Sequence, residues 1–287
     1  MKQLLLLLTA IFYNCTFIAF SESKASSNIL SEPAVPIEIV KDDGIQLRVL
    51  SWNIQNFGET KMKNDTIMEY IAEVVNSYDI VVIQEVSTSI YGAKAVAKLD
   101  AILDRMGSNW DYVISDPTEG SGKERYAYIF KPKRAKLKKA FLEKSLETSI
   151  AREPFIGIFE FQGTQYTFFN VHLVPEAKFP ENEAKSLCMI EGYKGKNLVL
   201  GDFNLPQRHT AFDCLKKSYK PALEDQKTSL KMAVKDGENL ANEFDNAFVS
   251  PEVKIVSKGV VHFYKDFPDL KAARSISDHC PIFITIK

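Results

Sequence analysis

Two stretches constrain the fold more than anything else in the 287-residue chain: Asp79–Val86 (DIVVIQEV) and Asn197–Asn204 (NLVLGDFN). Each is an uninterrupted apolar run that ends abruptly in acids or amides. A half-solvated strand alternates apolar and polar residues, whereas a continuous apolar run suits a strand covered on both faces. Buried strands of this kind need other layers over them. The rest of the pattern supplies those layers. Leu47–Ile54 (LRVLSWNI) reads as a strand ending at Asn53. Ile67, Ile71, Val74, Val75 and Tyr78 fall on one helical face, with Thr66 and Glu69 spaced as a capping box. A second amphipathic helix is expected over Ala93–Met106.

Strands then dominate. Trp110–Asp116 and Arg125–Pro132 alternate, and Phe155–Val174 reads as a hairpin turning at Gln162–Gly163. Helices are expected near Glu181–Glu191 and Arg208–Lys217. Residues 218–243 are polar and read as loop. Glu243–Ser250, Val253–Val261 and Cys280–Lys287 close the chain as strands. Helices over two strand-rich sheets make a layered α/β (α+β) sandwich, expected to occupy 45–287 as one domain.

The start of the chain differs from the rest. Lys2 precedes the apolar run Leu4–Ala19, and Ala19-Phe20-Ser21 gives a small-x-small cleavage pattern, so residues 1–21 read as a secretory signal peptide. The run is shorter than the roughly 20 apolar residues that a spanning helix needs. Residues 22–44, rich in Ser, Pro and charge, read as a tether. The implied destination is secreted or periplasmic, with no membrane attachment after cleavage. Without the leader, 35 basic residues face 37 acidic ones, so no global basic field advertises a nucleic-acid partner. Three cysteines remain, Cys188, Cys214 and Cys280, enough for one intramolecular disulfide with one thiol left over.

Polar residues gather at strand ends: Asn53, Glu85, His172, Asp202, Asn204, Asp245, Asp278 and His279. Burying a carboxylate at the end of an apolar strand is costly unless it is paired or binds a metal. Each of these singly reads as a turn or capping residue, but the whole set at successive strand ends reads as a site. Its donors are oxygens without a Cys-x-x-Cys companion, which favours Mg²⁺, Mn²⁺ or Ca²⁺ over zinc. Two histidines beside carboxylates, His172 and His279, supply an acid and a base. With a cation to hold phosphate oxygens, the combination suits phosphodiester hydrolysis. His209 and His262 read as surface residues. Asp278, His279 and Cys280 are consecutive, so a thiol nucleophile with its base, or a metal ligand set, is open at this stage.

The motifs LSWNIQNFGETKM, DIVVIQEV, GKERYAYIFKP, AREP, VHLVP, VLGDFN, EFDNAFV and ISDHCP follow the order and approximate spacing of the pancreatic-type deoxyribonuclease I family. That family belongs to the endonuclease/exonuclease/phosphatase superfamily, and the resemblance runs from about Arg48 to Ile286. Gly-Asp-x-Asn and Ser-Asp-His alone mark only the superfamily; NFGETKM with KERY and AREP is narrower. The resemblance implies a four-layer sandwich, two sheets stacked face to face between helices. It implies a cation at Asn53 and Glu85 with Asp278 close by, Mg²⁺ or Mn²⁺, with Ca²⁺ as a further ion. It pairs His172 with Glu124 as general acid on the departing 3′ oxygen, and His279 with Asp245 at the attacking water. Asp202 orients that water, Asn204 holds a phosphate oxygen, and Arg152 and Lys123 meet the DNA backbone.

The chain also departs from the family. Positions that commonly carry a groove-reading arginine and tyrosine are Ser87 and Gly122, and another arginine position is Gln55. Two family disulfides are missing, which puts the family's calcium loop in question; Lys235–Asn239 is the candidate substitute. The expected activity is a secreted, metal-dependent DNA endonuclease leaving 5′-phosphates, working as a monomer. The alternatives are another secreted phosphodiesterase, such as a sphingomyelinase or a phosphoinositide phosphatase, or a deoxyribonuclease-like toxin subunit. The basic run Lys131–Ala140 reads as a solvated sheet edge rather than a phosphate-tracking patch.

Overall fold

The structure, a computed structural model, describes residues 46–120 and 122–287. The expected leader and tether lie outside the described residues. The first six-stranded sheet contains β1 (Leu47–Phe57), β2 (Ile80–Val86), β3 (Asp111–Ile114), β4 (Arg125–Phe130), β13 (Ile255–Val260) and β14 (Ile282–Ile286), in the order β13-β14-β1-β2-β4-β3. The second contains β5 (Lys136–Leu142), β6 (Phe155–Phe161), β7 (Thr164–His172), β8 (Lys196–Asp202), β9 (Lys220–Pro221) and β12 (Asp245–Val249), in the order β5-β6-β7-β8-β12-β9. A separate hairpin pairs β10 (Leu230–Lys235) with β11 (Glu238–Leu240).

Alternation along the strands splits the apolar residues among three interfaces. Val49, Ile80, Val82 and Tyr128 of the first sheet meet Phe159, Phe168, Leu198 and Leu200 of the second, so the sheets stack face to face. The opposite face of the first sheet, through Leu50, Trp52, Val81 and Ile83, is covered by α2 (Asp65–Val75), α3 (Ile90–Arg105) and α5 (Leu270–Arg274). Val171, Val199 and Phe248 on the outer face of the second sheet pack against Ala184, Leu187 and Phe212. Four layers result, as expected. Strand β2 pairs in parallel with β1, and β8 with β7; β2 and β8, buried on both faces, carry the uninterrupted apolar runs.

The fourth layer is thinner than the sequence suggests. The helix expected at Glu181–Glu191 is α4 (Pro180–Ser186), following the short α1 (Glu59–Met62) and the two long helices, and it continues as a 3₁₀ segment, Leu187–Gly192. The helix expected at Arg208–Lys217 is two 3₁₀ turns, Thr210–Phe212 and Leu215–Lys217. A disulfide between Cys188 and Cys214 joins these two regions, leaving Cys280 as a free thiol. The start of α2 is also corrected. Asn64 caps it, accepting from the Ile67 amide at 3.2 Å, because α1 ends just before; Thr66 is already inside the first turn. Residues 218–243 are more ordered than a loop, holding β9 and the β10–β11 hairpin. Lys235–Asn239 is that hairpin's bend. Asp236 and Gly237 take φ of 54° and 75°, the two-residue turn that matches strand twist, and Glu238 pairs with Lys227 at 3.5 Å.

Polar bridges cross the apolar inter-sheet layer, Tyr128 reaching the Phe155 carbonyl at 2.7 Å and a pair of amides lying nearer the site. Gln84 of β2 donates through Nε2 to Asn170 Oδ1 of β7 at 2.7 Å, and Asn170 Nδ2 returns to the Ile83 carbonyl at 3.0 Å. Both side chains are fully buried. They sit one and two residues before Glu85 and His172, so the bridge lies directly under the site.

Candidate active site

Strand register assembles half of the site. His172 and Asp202, the last residues of β7 and β8, are paired partners, and Asp202 is in turn paired with Asp245, the first residue of β12. Three chemically active side chains therefore stand in one row across the second sheet. Gly201 makes the row feasible. Its φ is 144°, and a Cβ there would lie 2.0 Å from the Val171 carbonyl oxygen. The first sheet supplies Asn53 from β1, Glu85 from β2, Glu124 at the entrance to β4, and His279 three residues before β14.

Two carboxylate–imidazole pairs face each other. His172 Nδ1 lies 2.9 and 3.0 Å from the two Glu124 oxygens, and His279 Nδ1 lies 2.7 Å from Asp245 Oδ2. Between them sits Asp202, with Oδ2 3.4 Å from His172 Nε2 and 3.6 Å from His279 Nε2. All five groups are buried. Burial pushes the His279 imidazolium toward losing its proton, but Asp245 and Asp202 outweigh burial and hold it up at about 10. Burial opposes the charge on His172 too, and Glu124 overturns that, raising its affinity for a proton. Burial would raise Asp202, yet His279 and His172 keep it below the ordinary carboxylate range. Asp245 is raised, burial outweighing its contact with His279.

Asn53 connects the halves. Its Nδ2 donates to Glu85 Oε1 at 2.9 Å and to Asp202 Oδ2 at 3.1 Å, so a residue of each sheet meets one amide. Glu85 has φ of 61°, a left-handed conformation uncommon for a side chain of its size, and its Oε2 accepts from the Asn56 amide at 2.8 Å. Gln55, Asn56 and Asn204 also have positive φ. Backbone strain of this sort gathers at functional sites. Asn204 donates its side-chain amide to the Leu173 carbonyl at 3.0 Å, beside His172.

The expected residues fall in two groups. Asn53, Glu85, Glu124, His172, Asp202, Asp245 and His279 form one connected cluster. Asp278 stands at its margin, held by Gln55 Nε2 at 2.7 Å and Arg274 Nη2 at 3.3 Å. Arg152 is buried, and braces the His172–Glu124 pair. Its guanidinium donates to the His172 carbonyl at 2.9 Å, to the Leu173 carbonyl, and to Glu124 at 3.4 Å. Lys123 is exposed at the rim, 3.8 Å from Glu119. The buried group whose ligand atoms lie within 4.8 Å of one another is Asp202, Asp245 and His279, a different set from Asn53, Glu85 and Asp278. His209 and His262 are half-buried rather than on the surface. The first caps a 3₁₀ turn at the Ala211 amide, and burial depresses the second.

Several residues of the site carried no signal in the sequence. Thr228, in the polar 218–243 stretch, donates to Asp245 Oδ2 at 2.6 Å and accepts from the Asp245 amide at 3.0 Å. Ser277 donates to the Asn53 carbonyl at 2.6 Å and accepts from the His279 amide at 3.0 Å. Lys61 is buried with its ammonium on the Gln55 carbonyl; burial lowers its proton affinity, against the pull of Glu85 and Asp278. Ser277 and Lys61 were visible in outline, inside the Ser-Asp-His and NFGETKM motifs. The consecutive Asp278, His279 and Cys280 do not act together. Cys280 turns into the cluster around Trp52, burial raises its thiol far above the ordinary range, and β14 starts only at Ile282, because Pro281 has no N–H for a ladder.

The profile of the Endonuclease/Exonuclease/phosphatase family matches residues 50–279, which spans every member of the cluster. The chain belongs to that family. Endonuclease/exonuclease/phosphatase relatives similar to it include deoxyribonuclease-1 of Equus caballus, 32% identical over 177 residues, 56% of this chain and 61% of the relative. Deoxyribonuclease-1 of Canis lupus familiaris is 28% identical over 268 residues, 85% of this chain and 92% of the relative. The match to the horse protein thus spans about three fifths of that relative. Among solved structures, an endonuclease/exonuclease/phosphatase family protein from Leptotrichia buccalis superposes with a TM-score of 0.62 at 18% identity, over 84% of this chain and 99% of the other, which shows a shared fold.

Proposed function

We propose that the protein is an exported, divalent-metal-dependent nuclease that hydrolyses DNA phosphodiester bonds and leaves 5′-phosphates, acting as a monomer. The observation that carries the reading is the placing of two carboxylate-held imidazoles on either side of Asp202 Oδ2, at 3.4 and 3.6 Å. An in-line displacement at phosphorus needs a proton donor for the departing oxygen and, opposite it, a group to receive the proton of the attacking water. Similarity to deoxyribonucleases over most of the chain supports DNA as the substrate.

Glu124 accepts from His172 Nδ1, which leaves Nε2 to carry a proton toward the departing 3′ oxygen. Asp245 fixes His279 in the same way; His279 Nε2 with Asp202 Oδ2 orients the water, whose proton passes to the Asp202 carboxylate. Asn204 and the edge of Arg152 meet phosphate oxygens, with Lys123 at the rim. The donor set fits a hard cation: Glu85 and Asp202 converge on one amide of Asn53, and Asp278 lies across Gln55. Asn53, Glu85, Asp202 and Asp278 would hold Mg²⁺ or Mn²⁺, which would neutralise charge on the phosphate oxygens. Ca²⁺ is a further ion for the same oxygen chemistry.

The test is nicking of supercoiled plasmid by the purified protein, with Mg²⁺ and with chelator, beside His172→Ala. Nicking that needs metal and falls roughly 10²–10⁴-fold in the variant is expected. Absence of nicking, with release of phosphocholine or phosphate from lipids instead, would overturn DNA as the substrate.

A further inference from the structure

Beside the catalytic cluster lies a polar recess of about 490 Å³. Its size falls within the roughly 300–1,000 Å³ of small-ligand sites. Glu85 and Glu124 line it, and the Glu85 amide donates to Glu124 Oε1 at 3.3 Å, so the recess and the catalytic centre share a wall. A group that fills it is separated from His172 only by Glu124, whose Oε2 lies 2.9 Å from His172 Nδ1.

Close backbone approach and small side chains leave this space open. A Cβ on Gly58 would lie 2.8 Å from Ser87 Cβ, and one on Gly92 would lie 2.0 Å from the Ser87 carbonyl oxygen, so the floor at Ser87 is drawn tight against its neighbours. At the mouth Gly122, with φ of 77°, contributes no side chain.

Charge then selects the occupant. The charges that line it are already matched: Glu59 by Lys63 at 2.6 Å, Glu124 by His172 at 2.9 Å and Arg152 at 3.4 Å, and Lys123 by Glu119 at 3.8 Å. The floor disfavours a phosphate, while Lys123 is exposed and keeps phosphates at the rim. Hydroxyls of Thr60 and Thr88 and the carboxamide of Asn56 offer hydrogen bonds to an uncharged group. In a nucleic acid, the uncharged, hydrogen-bonding group next to a backbone phosphate is the base. A paired base has its edge occupied and its faces stacked; it reaches a concave site only when extruded or already unpaired.

We propose that the recess receives the unpaired base of the nucleotide adjoining the scissile phosphate, so that single-stranded or locally unpaired DNA is the preferred substrate. This rests on the nuclease reading above and names its substrate class. The test compares kcat/KM in Mg²⁺ for one end-labelled strand offered alone, fully paired, and paired with a single-nucleotide bulge. Thr88→Trp and Thr60→Trp each place an indole in the recess from a different, exposed wall, and thermal unfolding verifies that each variant is folded. The protein is expected to cleave the lone strand, and the bulged duplex at its bulge, about tenfold or more faster than the matched duplex. At least one folded variant should bring that ratio close to one by losing activity on the unpaired strand. Equal cleavage of all three by the unaltered protein, or a ratio unmoved in both variants, overturns the proposal while the nuclease reading stands. Cleavage of none of the three overturns both.

Discussion

At Asp202 the two halves of the chain meet. Its Oδ2 faces both imidazoles and the Asn53 amide, and its backbone pairs with His172 on one side and Asp245 on the other. The Asp245–His279 pair has a consequence for stability. The folded protein holds the His279 proton up at about 10, against an ordinary histidine value near 6.5. A group raised in this way contributes stability that is complete below the unfolded value and lost as pH climbs through the folded one. In chelator, the gap in thermal midpoint between the protein and Asp245→Asn should therefore be widest near pH ~6 and narrow toward pH ~10. A gap that widens with rising pH would reject this account of the pair. A second expectation at this scale separates two neighbours. Cys280→Ser should keep most plasmid nicking, because the thiol lies in the Trp52 cluster, whereas His279→Ala should lose roughly 10²-fold or more.

Elements differ in how much of them could be read beforehand. β2 and β8 were legible because burial on both faces leaves a local signature, an unbroken apolar run with an acid at its end. The fourth layer was misread because Leu187, Phe212 and Leu215 bury as a helix face would, and apolar spacing does not separate an α-helix from two 3₁₀ turns tied by a disulfide. The helical start at Asn64 was missed because a better-looking capping box lay two residues on. Thr228 could not have been chosen, since its role depends on Asp245 being brought to it from 17 residues away. The basic strand β5 was read correctly as an edge: it ends its sheet, Lys138 pairs with Glu160 at 3.0 Å, and Lys139 stands 4.5 Å over the Phe141 ring. Neutralising Lys136, Lys138 and Lys139 together should accordingly leave the salt dependence of DNA cleavage unchanged; phosphate-contacting lysines would each lower the log–log slope by roughly one.

Across the whole molecule, stability and activity draw on different long connections. The Cys188–Cys214 disulfide closes a loop of 26 residues that belongs to the thin outer layer, not to the cluster. Chain entropy assigns such a loop ~3 kcal/mol. Cys188→Ser with Cys214→Ser should lower unfolding free energy by about that amount in denaturant titration, while kcat at low temperature stays near that of the intact protein. The buried polar cluster is closed by other links: Asn53 meets Asp202 across 149 positions, the Trp52 indole reaches the His279 carbonyl across 227, and Ser277 reaches the Asn53 carbonyl across 224. Contacts so distant in sequence are slow to form, because the intervening chain must first be ordered. During synthesis, His279 emerges long after Asn53, Glu85 and His172. Until it does, the Asn53–Glu85 and His172–Glu124 pairs lack the Asp245–His279 half of the cluster. The topology acts as a timer, withholding the assembled cluster until both sheets are docked.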